Sequence, residues 1–137
     1  MKNRITLIRW AFLLPVLGLA FFIAHLVFQL MFPMIQTHLG ISDDDLYGMS
    51  IMDQEVVFGP YGEGIFAFFS ILACYMITPR SKIAVSLGIL FLELLPCLGV
   101  RSFIIAVSGG GLMALFFAII VHRVFDWMRH SRATIAI

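Results

Sequence analysis

The chain has 137 residues, 61% of them hydrophobic and 12% charged, with a net charge of +1. Soluble domains run near about 45–50% apolar and 25% charged, so this composition excludes an ordinary soluble domain and points to a membrane protein. The nine Lys and Arg residues are too few and too divided along the chain to serve a nucleic-acid partner.

Met1 to Arg9 forms a short basic lead, and residues 10–32 form the first expected span, with Trp10 at the interface where aromatic belts sit. This apolar run is too long for a signal peptide, and no small-x-small cleavage site follows it. Pro15 predicts a kink, and Gly18 and Ala20 permit close packing nearby. Pro33 is expected to end the helix. Residues 33–59 then form one long acidic connection, expected to be extracytoplasmic. Within it, Ser42 followed by Asp43, Asp44 and Asp45 reads as a capped helix start with acid in its first turn. Leu46, Met49 and Met52 would share one face, which predicts a short interfacial helix.

Gly59-Pro60 reads as the start of the second span, 60–78, with Glu63 in its first turn. Pro79 to Lys82 is expected as a tight turn, residues 83–100 as the third span and residues 103–124 as the fourth. The fourth helix is expected to continue as an amphipathic tail through Asp126, Trp127 and Arg129. The expected fold is therefore an all-α integral membrane protein, residues 1–137 forming one four-transmembrane-helix bundle.

Charge distribution orients this bundle. Lys2, Arg4 and Arg9, then Arg80 and Lys82, then Arg123, Arg129 and Arg132 all fall on one side of a four-span chain. Only Arg101 falls on the other side. The positive-inside rule assigns the basic side, and with it both termini, to the cytoplasm of a bacterial inner membrane. Cys74 and Cys97 then lie at different depths, too far apart for a disulfide.

Glu93 is the one carboxylate deep inside an apolar run, and a charge in hydrocarbon calls for a partner or a wet cavity. Counting about 1.5 Å per residue from the expected boundaries puts Glu93 and His25 both about 10 Å below the outer surface, and Ser108 about 8 Å. Gln29 lies one turn above His25, and Arg101 can lean back toward Glu93. The expectation is an outer polar layer of Glu93, His25, Gln29, Arg101 and Ser108, with Glu63 as a further candidate, read first as a structural cluster and second as an outward-open pocket for a proton, cation or small polar ligand. Such layers usually hold helices together, and no motif beside Glu93 favours a ligand.

Ala106, Gly110, Ala114 and Ala118 repeat every four residues, and Ala84 and Gly88 offer the same spacing on the third span. Small residues at that spacing let helix backbones approach closely. Met31, Met34, Met49, Met52 and His38 flank the outer connection. Thioether and imidazole suit Cu(I), but without a cysteine or a denser array these methionines read as apolar filler. No Cys-x-x-Cys, nucleotide loop or nucleophile motif occurs. His122, Asp126 and His130 are spaced four apart, which suits a metal or phosphate contact but reads first as a solvated helix face.

The sequence therefore leads to no metal and no cofactor. Its partners are the lipid bilayer together with further copies or a membrane complex. The expected function is a non-enzymatic accessory or scaffold subunit. A transporter or sensor built on a Glu93 pocket stands second, and an intramembrane enzyme with a Glu93/His25 acid–base pair third.

Overall fold

The computed structural model describes residues 7–8, 10–78 and 81–135, with side chains described as far as Arg129. All regular structure among them is helical: α1 Leu13–Leu39, α2 Asp43–Gly48, α3 Ile51–Ile77, α4 Lys82–Leu94 and α5 Arg101–Ile135. Three of these, α1, α3 and α5, are long and apolar enough to cross a membrane, as befits an integral membrane protein.

The third stretch differs from the expected span over 83–100. It is helical for 13 residues, Lys82–Leu94, a rise of about 20 Å against a hydrocarbon core of about 30 Å. Pro96 is the physical cause, since it has no N–H for the carbonyl four residues back and its ring clashes there. Residues 95–99 form turns, and Gly99 takes φ +113°, a conformation that L side chains rarely adopt. The expected tight turn at Pro79 and Arg80 lies outside the described residues.

Pro33 does not end α1, and Gly59-Pro60 does not start α3; both prolines lie inside helices. Stronger signals set the true ends. Gly40 closes α1 at φ +68°, and its N–H and that of Ile41 bond the carbonyls of Thr37 and Gln36, each at 3.1 Å. Ser50 opens α3: its hydroxyl accepts from the Asp53 N–H at 3.2 Å and donates to the Asp53 carboxylate at 2.6 Å. The outer connection of 33–59 accordingly contracts to the segment around α2. Ser42 caps α2 in the same way, accepting from the Asp45 N–H while its own N–H bonds the Asp45 carboxylate at 3.1 Å. The Ser42 hydroxyl and then its N–H, both donating to the Asp45 carboxylate, hold that carboxyl below the usual carboxylate range. Gln36 Nε2 donates to Asp43 at 2.8 Å and Gln54 Nε2 to the Leu46 carbonyl at 3.1 Å, so α2 is tied to both flanking helices.

Contacts give the helix directions. Phe21 packs on Phe66 and Phe32 on Phe58, so α1 runs antiparallel to α3. Gly64 meets Gly110, Phe68 meets Phe117 and Tyr75 meets His122, so α5 runs parallel to α3. Ser70 meets Glu93 and Lys82 lies over Tyr75, so α4 runs antiparallel to α3. The start of α1 and the end of α5 therefore share one end of the molecule with Lys82, and α2 lies at the other.

The core sits where α3, α4 and α5 converge, built from Ala67, Ile71, Tyr75, Leu90, Val107, Ala114, Leu115 and Ala118. Its small residues set the distance between helices. A Cβ on Gly110 would lie 2.0 Å from the Gly64 carbonyl oxygen, so the two backbones touch. A Cβ on Gly111 would lie 2.4 Å from a Leu90 methyl. The stripe Ala106–Gly110–Ala114–Ala118 thus lies on the packed side of α5, with Ala114 and Ala118 fully buried. Ala84 is exposed, and a Cβ on Gly88 would meet open space, so that pair packs on nothing within the chain.

Adding one methyl group at each of two neighbouring glycines tests this arrangement. Gly110→Ala is expected to destabilise by about 1–3 kcal/mol through overpacking, whereas Gly109→Ala meets nothing within 4 Å and is expected to be neutral or mildly stabilising. Thermal melting in detergent reads the difference, and equal melting curves would refute the backbone contact.

Candidate functional site

Glu93 lies one residue before the end of α4, facing the middle of α3. The Ser70 hydroxyl donates to Glu93 Oε1 and also lies 3.2 Å from the Ala67 carbonyl. A hydroxyl has one proton, so it serves these two acceptors one at a time. Glu93 Oε2 is buried without a hydrogen-bond partner among the described residues. Cys97 Sγ contacts the Glu93 carbonyl at 3.4 Å, which ties the turn after α4 to its last helical turn.

Ser70 heads a narrow polar seam between α3 and α4. Ser70, Cys74 and Thr78 recur every four residues on the buried face of α3. Thr78 Oγ1 donates to the Cys74 carbonyl at 2.7 Å and lies 3.7 Å from Cys74 Sγ. Ser86 of α4 is fully buried, and its hydroxyl has no hydrogen-bond partner among the described residues. Both cysteines are free thiols.

The expected polar layer is divided among separate places. His25 and Glu63 line one cavity of about 210 Å³ with Phe21, Phe28, Gly62 and Phe66. Glu63 and Ser70 are seven residues apart on α3, about 10 Å along the axis, so His25 and Glu93 face different levels of the same helix. Arg101 begins α5 and is exposed, Gln29 is exposed, and Ser108 is half-buried. Among the described residues, no side-chain hydrogen bond or ion pair joins His25, Gln29, Arg101 or Ser108 to Glu93.

Ser70 was passed over in the sequence because it carries no catalytic motif. The signal that locates it is the four-residue repeat Ser70-Cys74-Thr78, a polar stripe on an otherwise apolar helix. Chemically, the Glu93 site offers one carboxyl group hydrogen-bonded to the Ser70 hydroxyl, with the free Cys97 thiol on the Glu93 carbonyl. Glu93 lines none of the three cavities of about 800, 210 and 700 Å³. Among the described residues, no three His, Cys, Asp or Glu side chains converge as a metal site.

A second polar group lies at the basic end. His122 Nε2 is 3.6 Å from Asp126 Oδ2, one helical turn away, and the His122 ring packs edge-on against Tyr75. Lys82 Nζ lies 5.2 Å from the centre of the Tyr75 ring. The His130 side chain, third in that spacing, lies outside the described residues.

Comparison with known families, characterised proteins and solved structures finds no match.

The Ser70–Glu93 contact yields a paired expectation. Ser70→Ala leaves both Glu93 oxygens without a donor and is expected to lower stability by about 1–3 kcal/mol. Glu93→Gln keeps an acceptor for Ser70 and is expected to cost less. Chemical or thermal unfolding in detergent ranks the two variants, and a larger loss for Glu93→Gln would contradict the pairing.

Proposed function

We propose that this chain is a non-enzymatic accessory or scaffold subunit of a membrane assembly, in which a partner transmembrane segment packs between α1 and α5. The supporting observation is the groove left between these helices. About 800 Å³ lies open there, walled by apolar side chains including Val27, Met31, Val56, Ile65, Ile105 and Met113. The first helix packs chiefly on α3 and buries only Ala20, Ala24 and Ile35. Helices in lipid associate through van der Waals packing rather than hydrophobic burial, so an unfilled groove favours a shape-matched helix. The transporter reading calls for a cavity opening at Glu93 and the enzyme reading for His25 against Glu93.

Four helices complete the proposed unit, α4 and the turn after it forming a short third crossing. The proposed setting is a bacterial cytoplasmic membrane with both termini inside. That orientation rests on Lys82 and Arg123 lying at the end opposite the acidic α2.

Purification in mild detergent with mass analysis of the intact complex tests the reading. The expected result is an assembly containing a second kind of membrane protein. Ile105→Trp, at a groove position 62% exposed, should release that protein while leaving the melting curve unchanged. A monomer, or an assembly of this chain alone, would overturn the accessory role.

Orientation is tested separately with a reporter fused after Ile137 that is active only in an oxidising compartment. It should be silent, and strong activity would reverse the assignment.

A further inference from the structure

At the end of the molecule that carries Lys82, α3, α4 and α5 diverge around a groove of about 700 Å³. Tyr75 comes from α3, Ile83 from α4, and Ile119, His122, Arg123 and Trp127 from α5. We propose that this groove is a binding site for an anionic phospholipid, with the phosphate held between Arg123 and Lys82 and an acyl chain lying along Ile83 and Ile119.

The chemistry of the walls carries the assignment. The Arg123 side chain is exposed and has no ion pair among the described residues. A guanidinium presents a planar fork of donors that matches phosphate oxygens. Lys82 stands next to the wall residue Ile83, with its ammonium group 5.2 Å from the centre of the Tyr75 ring that also lines the groove. Tyr75 is buried at 5% exposure while Trp127 is 70% exposed, the pairing of a fixed ring and an outer ring that suits a membrane–water interface. Among the described residues lining the groove Asp126 is the one acid, and its Oδ2 lies 3.6 Å from His122 Nε2. Basic pockets between membrane helices are suited to lipid headgroups, and the two isoleucines add an apolar track that a free anion would not use.

The competing account is general attraction between basic end segments and anionic lipid, with no site. The two accounts differ in which residues matter. Native mass spectrometry of the detergent-purified full chain, with phosphatidylglycerol or phosphatidylcholine added, measures retained lipid adducts. The expected result is a clear excess of phosphatidylglycerol adducts. Lys82→Gln and Arg123→Gln should each reduce that excess by about fivefold. Ile83→Trp, which fills the groove and removes no charge, should also reduce it. Lys2→Gln combined with Arg4→Gln should leave it intact. Equal retention of the two lipids would overturn the proposal. So would an equal loss in the Lys2/Arg4 variant, or full retention in Ile83→Trp. Displacement by millimolar inorganic phosphate would reassign the groove to a free anion and overturn the lipid. Melting curves accompany each variant, and the single Arg123→Gln change, at an exposed side chain, decides the outcome if the others fold poorly.

Discussion

Everything in this molecule is arranged around the place where two backbones touch. Gly64 and Gly110 bring α3 and α5 together so closely that a single methyl group on Gly110 would strike a carbonyl. In lipid, the hydrophobic effect cannot drive helices together, and close van der Waals contact must do so instead. The approach at Gly110 brings Ala114 and Ala118 into the core, and it lets Leu90 of α4 lie over Gly111. Once α4 is seated there, its last turn delivers Glu93 to Ser70. The position of Glu93 is thus a consequence of missing side chains some distance away.

Elements marked by local chemistry were legible in the sequence. Ser42 with three following aspartates announced α2, and the structure builds the capping bonds which that pattern implies. Prolines misled the reading at Pro33 and Pro60. The sequence pattern marks a boundary at each, yet α1 runs through Pro33 and α3 through Pro60. Proline removes one backbone hydrogen bond, while abandoning a helix among apolar residues would expose several backbone groups to a solvent that cannot bond them. The cost of continuing is the smaller. At Pro96 the balance tips the other way, because a left-handed Gly99 follows within one turn and supplies a way to reverse the chain.

Misplaced boundaries also explain the misplaced site. Depth was counted inward from Val100, on the assumption that the apolar run was helical to its end. Helix α4 stops at Leu94, so the count placed Glu93 at the level of His25 when it faces α3 seven residues further along, at Ser70. What a single sequence could have shown was the polar repeat on α3. Three small polar side chains on one buried face of an apolar helix announce that a neighbour brings a polar group to meet them.

The two internal prolines have a mechanical consequence. Pro33 cannot donate to the Gln29 carbonyl, and Pro60 cannot donate to the Val56 carbonyl, so each helix lacks one rung of its ladder. Phe32 stacks on Phe58 and Phe28 lies against Gly62, which puts both missing rungs at nearly one height on adjacent antiparallel helices. Two weakened cross-sections side by side form a hinge line. Beyond it, the end of α1, all of α2 and the start of α3 are bonded to one another through Gln36, Asp43 and Gln54. That acidic cap is thus cross-tied within itself, and it adjoins the two helix sections that each lack a backbone bond.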